Sequence, residues 1–201
     1  MSKVYVISDL HFGHHNMAVK RGFKDALSHD NHIIDSWNSI ITKRDVVWVL
    51  GDITMEKTQG YELLDKLNGI KKVVLGNHDK PQHSPKLLEY VNHICGCVKV
   101  QGCILTHIPI HESEVDRFLL NICGHIHDAV IPDIRYVNVC AENVDYKPVL
   151  LSKLVENKRK MDFMIARKNE LVMSFKSYTL EQLENEWITK KEEEKAKKES
   201  I

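Results

Sequence analysis

The chain has 201 residues, 43% of them hydrophobic, enough to bury one sizeable core. Its 28 basic and 28 acidic residues give a formal net charge of +0, which excludes a global field that would draw in polyanions or membrane surfaces, so any nucleic-acid contact has to be local. The opening apolar run is too short for a signal peptide or a membrane span, and the five cysteines lack zinc-knuckle and thioredoxin spacing, so a reducing cytoplasm, no membrane and buried reduced thiols are expected.

Short apolar, β-branched runs at 3–8, 46–50, 72–75, 98–106 and 119–123, with weaker ones at 136–140 and 148–151, predict strands. Between the early ones, Ile33, Ile34, Trp37, Ile40 and Ile41 fall on one helical face, capped by Asp30 or Asn31. Leu63, Leu64 and Leu67 form a second stripe, stopped by Asn68-Gly69, and Leu87, Leu88 and Val91 a third. This alternation predicts the α/β class, with a site in the loops after strand ends, and the strand-rich second half predicts a second sheet packed on the first. From Ser152 the pattern is helical: Thr179 and Gln182 have capping-box spacing, and Leu180, Leu183 and Trp187 make a narrow apolar stripe. A catalytic domain over 1–151 and a helical extension over 152–201 are expected, with a charged, frayed end and a stripe suited to homo-oligomer contact.

Four blocks end apolar runs. They are Asp9-Leu10-His11, Gly51-Asp52, Gly76-Asn77-His78-Asp79 and Gly124-His125-Ile126-His127, and His107 ends a further run. Singly, each reads as a turn. Together they supply carboxylate, amide and imidazole ligands in the mixture that suits divalent first-row ions rather than structural zinc.

In these blocks the chain resembles the calcineurin-like metallophosphoesterase superfamily, over roughly residues 3–150. The resemblance implies a four-layer fold, two packed mixed β-sheets flanked by helices, with a dinuclear centre at the strand ends. It assigns Asp9, His11, Asp52 and His127 to a first ion and Asp52, Asn77, His107 and His125 to a second. It makes His78 the acid that protonates the leaving oxygen, with Asp79 orienting its imidazole. Two such ions activate a water for in-line attack on phosphorus and neutralise charge on the phosphoryl oxygens. No tyrosine stands in the blocks to favour a ferric pair, so Mn²⁺ is expected, with Fe²⁺, Co²⁺, Ni²⁺ and Zn²⁺ open.

His14 and Arg21 follow the first ligands closely. His14 is a candidate to hydrogen-bond a phosphoryl oxygen and Arg21 to clamp a phosphate, against the plain alternative of surface residues with Arg21 ion-paired. His29, His32, His83, His93 and His111 read as structural or solvated, and Asp45 as a turn cap. The short connections leave little room for a capping domain or a polymer platform, so a small phosphodiester such as a nucleotide or cyclic nucleotide is expected, with a phosphomonoester as the alternative. Two other readings are an interaction scaffold, which typically lacks the motif histidine found here as His78, and a nuclease subunit, which would call for a basic surface.

Overall fold

A computed structural model describes residues 2–173 and 179–199 of the chain. They divide into two compact units, Met1–Val155 and Glu156–Ile201.

The first unit is built on two mixed sheets. One orders its strands β4-β3-β2-β1-β9, from β1 (Val4–Ile7), β2 (Val46–Val49), β3 (Ile70–Val74), β4 (His93–Cys95) and β9 (Val149–Leu150). All its pairs are parallel except β1 with β9. The other orders β5-β6-β7-β8, from β5 (Val98–Val100), β6 (Cys103–Leu105), β7 (Asn121–Cys123) and β8 (Tyr136–Asn138), with only β5 and β6 antiparallel.

Period-two alternation sorts the side chains of the first sheet. Tyr5, Ile7, Val47, Val49 and Val73 pack with Ile33, Trp37 and Leu64 of the helical layer, while Val6, Trp48, Leu50 and Val74 pack with Leu105 and Ile122 of the second sheet and with Val139 just past its last strand. Parallel strands buried on both faces explain why these runs are almost wholly apolar. Beyond the strands, a bridge between Ser8 and Cys140 ties the end of β1 to the stretch after β8, so the two sheets meet where the motif loops begin.

Several local expectations are corrected. The helical face around Ile33 belongs to α2 (Ala26–Asn38), which follows the short α1 (His15–Lys20) and is capped by Asp25. Asp25 accepts from the Ser28 amide while the Ser28 hydroxyl pairs with the Asp25 amide, a reciprocal box one turn ahead of Asp30 and Asn31. The Leu63–Leu64–Leu67 stripe lies in and just past a 3₁₀ helix (Tyr61–Lys66), and the third stripe is reduced to α3 (Ser84–Leu87). The run at 98–106 is two strands: Gln101 and Gly102 both take positive φ, 51° and 84°, and close a two-residue hairpin. After the short α4 (Glu112–Val115) the remaining strands fall within the expected runs.

The second unit holds α5 (Leu151–Met173) from Glu156 onward and α6 (Leu180–Glu199). The Thr179 hydroxyl accepts from the Gln182 amide and the Gln182 side chain accepts from the Thr179 amide. Leu183 and Trp187 are buried, with Trp187 against Phe163, whereas Leu180 is 72% exposed and does not join them. Among the described residues no helix is long and apolar enough to cross a membrane.

Candidate metal centre

Main-chain hydrogen bonds join the loops that carry the motifs in two pairs. The amides of Asp9, His11 and Phe12 donate to the carbonyls of Gly51, Asp52 and Ile53, continuing the β1–β2 pairing past the strands. The Gly124 amide donates to the His107 carbonyl, joining the loops after β6 and β7. Asp9, His11, Asp52, His125 and His127 all sit in the left-handed region, with φ of 59°, 49°, 54°, 70° and 50°. Such positions cost about 1–3 kcal/mol each for residues with a Cβ and cluster at functional sites.

This strained backbone aims the side chains at one place. Asp52 Oδ2 lies 3.5 Å from His107 Nε2, 3.9 Å from His11 Nε2 and 3.9 Å from His78 Nε2. Asp9 Oδ1 lies 3.6 Å from His11 Nε2 and 3.9 Å from His127 Nε2. Asn77 Oδ1 is 2.9 Å from His107 Nε2, and the His107 and His125 rings are 5.0 Å apart. Three groups of side chains are thus spaced to hold an ion: Asp9, His11 and Asp52; Asp9, His127 and Cys140; and Asp52, His107 and His125. All seven candidate ligands are brought together, with the Cys140 side chain beside Asp9 and His127.

The electrostatics fit cations. Burial works to raise the Asp9 carboxyl, but the His11 and Ser8 side chains, the His107 charge and the His125 amide outweigh it and hold the group well below the usual carboxylate range. Burial likewise opposes charge on His107, yet the adjacent Asp52 carboxylate raises it, so positive charge is favoured there. Burial lowers His125, keeping a neutral imidazole lone pair. Asp9 Oδ1 and both ring nitrogens of His11 are buried without a hydrogen-bond partner. Stranding such atoms costs about 1–3 kcal/mol apiece, and divalent ions would satisfy them, so the donor set fits a metal pair.

No family model matches the chain. Uncharacterized protein MJ1445 of Methanocaldococcus jannaschii is 30% identical over 168 residues, covering 78% of this chain and 91% of that protein. The chain belongs to the family of that archaeal protein. Gene 66 protein of Mycobacterium phage D29 is 32% identical over 165 residues, 65% of this chain and 81% of the phage protein. Among solved structures, AQ665 from Aquifex aeolicus, a protein of unknown function, matches with a TM-score of 0.60 at 26% identity, covering 78% of this chain and 99% of that one. Two packed mixed sheets flanked by helices, with candidate metal clusters at their strand ends, are thus the architecture of this chain.

In this MJ1445-family chain the residues around the ligands depart from the sequence reading at two points. Asp79 does not meet the His78 ring: its carboxylate accepts from the amides of Asp52, Ile53 and Gly76, clamping two motif loops together. The carboxylate facing His78 Nδ1 is Glu56, at 3.5 Å, which also holds Lys80 at 2.9 Å. Arg21 is not poised to clamp a phosphate. Its side chain is 3% exposed, donates to the carbonyls of Leu10 and Asp9, contacts His29 Nε2 and pairs with Glu142. His14 does border the centre, with its ring 5.9 Å from that of His11.

Two functional neighbours escaped the sequence reading. Glu142 Oε1 accepts from His127 Nδ1 at 2.7 Å, which leaves His127 Nε2 to face Asp9. The buried Cys140 thiol donates to Asp9 Oδ2 at 3.2 Å, and burial together with the Asp9 charge raises its pKa so that it stays protonated. Both lie in or beside a 3₁₀ turn (Ala141–Val144) after the weakest strand pattern in the chain, and neither stands in a ligand-like motif.

Proposed function

We propose that this chain is a metal-dependent hydrolase of phosphate esters, acting on small phosphodiesters such as nucleotides or cyclic nucleotides. One observation carries the reading: a single buried carboxylate oxygen, Asp52 Oδ2, has three imidazole Nε2 atoms from three different loops within 3.9 Å. A carboxylate so surrounded suits a bridge between two cations. Asp9, His11, Asp52 and His127 would hold one ion, and Asp52, Asn77, His107 and His125 the other, with Mn²⁺ as the preferred metal. When bound, such a pair supplies Lewis acidity and an activated water at neutral pH.

The chain's own residues do the rest. His107 Nδ1 donates to the Leu50 carbonyl at 2.7 Å, fixing the ring with Nε2 toward Asp52 and Asn77. Of the three imidazoles around Asp52 Oδ2, His78 is the most exposed, its side chain 24% exposed against 2% and 3% for His11 and His107, and it is the group we assign to donate a proton to the departing oxygen. His14 is assigned to hydrogen-bond the phosphate from the side of His11.

The test is a substrate panel on the full chain, chelated and then resupplied with Mn²⁺: p-nitrophenyl phosphate, bis(p-nitrophenyl) phosphate, a linear dinucleotide, and 2′,3′- and 3′,5′-cyclic nucleotides. Metal-dependent turnover of diesters in preference to monoesters is expected. Turnover of monoesters alone would replace the diesterase reading with a phosphatase one, and no turnover on any ester with two ions bound would overturn both.

A further inference from the structure

We propose that the cleft beside the metal centre, about 700 Å³ in volume, is a leaving-group pocket that takes a nucleoside. The inference rests on the phosphoesterase reading above and names the group that departs.

Position is the first argument. The cleft's walls come from the two loops that carry His11 and Asp52: Phe12, Gly13 and His14 follow the first directly, and Met55 and Gln59 lie on the second. His14 belongs to both places, lining the cleft while its ring stands 5.9 Å from that of His11. Glu56, next to Met55, contacts His78 Nδ1 at 3.5 Å, so the proton donor assigned to the departing oxygen stands against the loop that forms the cleft wall. An ester with its phosphorus at the ligand cluster and its leaving oxygen at His78 therefore has this cleft as the adjoining space for the group that leaves.

Chemistry is the second. The volume falls in the range of about 300–1,000 Å³ typical of small-molecule clefts and is generous for one nucleoside. Met55 and Leu63 give partly buried apolar contact suited to the face of a base. The ionisable side chains lining it, besides His14, are Asp30, Glu62 and Lys57, two carboxylates against one ammonium. Both carboxylates are held in place: Asp30 accepts from the Gly13 amide at 3.0 Å, and Glu62 from the Gly60 amide at 2.9 Å. Fixed acceptors of net negative charge repel a second phosphate or a polyanionic strand and welcome the amino and hydroxyl donors of a neutral nucleoside. The preference is thus for a mononucleoside ester over a polymer or a polyphosphate.

The experiment pairs binding with turnover on the full chain. Adenosine is titrated into wild type, Met55→Trp and Gln59→Trp, with ATP as the charged comparison, and circular dichroism establishes that the variants are folded. Saturable adenosine binding, weaker for ATP and reduced about tenfold or more in at least one of the two variants, is expected. With Mn²⁺ added, each variant should lose more rate on a nucleoside phosphodiester than on bis(p-nitrophenyl) phosphate. If bis(p-nitrophenyl) phosphate is hydrolysed but adenosine does not bind, or binds equally to folded variants of both kinds, the pocket is refuted and the phosphoesterase reading stands. If neither ester turns over with two ions bound, that reading falls and takes the leaving-group role with it.

Discussion

His127 donates from Nδ1 to Glu142 Oε1 at 2.7 Å, and the other oxygen of Glu142 is held by Arg21. Arg21 in turn donates to the carbonyls of Asp9 and Leu10, so one partly buried ion pair fixes the orientation of His127 and the course of the first motif loop together. Its value lies in positioning. An imidazole that is to hold a metal needs its second nitrogen committed elsewhere, and His127 Nδ1 is committed to a carboxylate that is itself anchored.

Glu142→Gln should therefore weaken retention of one of two ions by about 10–100-fold, because the amide is a poorer acceptor and loses the charge that pairs with Arg21. Titration of metal-free protein with Mn²⁺ checks this. Two sites as tight as in wild type would show that Glu142 plays no part in ordering His127.

His78→Ala separates proton donation from phosphate binding. For a ribose alkoxide the loss should be about 10²–10⁴-fold in rate, whereas for p-nitrophenolate, already a stable anion near neutral pH, it should be far smaller. Both rates are measured with metal content verified. Equal losses on the two leaving groups would assign His78 to holding the phosphate.

Gly124→Ala should disrupt the centre without replacing a ligand. A Cβ there would meet Ser8 Oγ at 1.9 Å and Asp9 Oδ2 at 2.2 Å, so either the Gly124 loop or Asp9 has to move. The expected cost is about 1–3 kcal/mol of stability, with loss of at least one ion. Thermal unfolding with metal analysis reads both, and an unchanged melting temperature with full metal content would contradict the close approach.

The candidate ligands are legible because each is a chelating residue at the end of a largely apolar run, a pattern that survives without knowing how the loops turn. Their left-handed backbone was not legible, since Asp and His at positive φ leave no mark in the sequence. Glu142 and Cys140 were hidden for a different reason: they act through His127 and Asp9, more than a dozen residues away in the first case and over a hundred in the second. The family resemblance pairs Asp79 with His78, but a buried carboxylate is drawn to the unpaired amides of the surrounding turns instead. The strand β4 went unread because its three residues include an exposed histidine and carry no alternation. Asp45 behaves as its sequence context suggested.

Asp45 accepts from the side chain and amide of Thr42 and from the amide of Lys3, and these donors hold its carboxyl below the usual range. A depressed folded-state pKa contributes stability that is fully present above the unfolded value, about 3.9, and is lost as pH falls through the folded one. Asp45→Asn should therefore cost about 1–2 kcal/mol at neutral pH, with the gap from wild type closing below about pH 4. Urea unfolding at several pH values measures it, and a gap independent of pH would rule out the ionised cap as its source.

The central claim is a two-ion centre bridged by Asp52, and metal stoichiometry tests it most directly. Wild-type protein, chelated, dialysed against Mn²⁺ and analysed by plasma mass spectrometry, should carry two ions per chain, while Asp52→Asn should carry at most one and turn over negligibly. Two ions retained in Asp52→Asn, or none in folded wild type, would contradict the account.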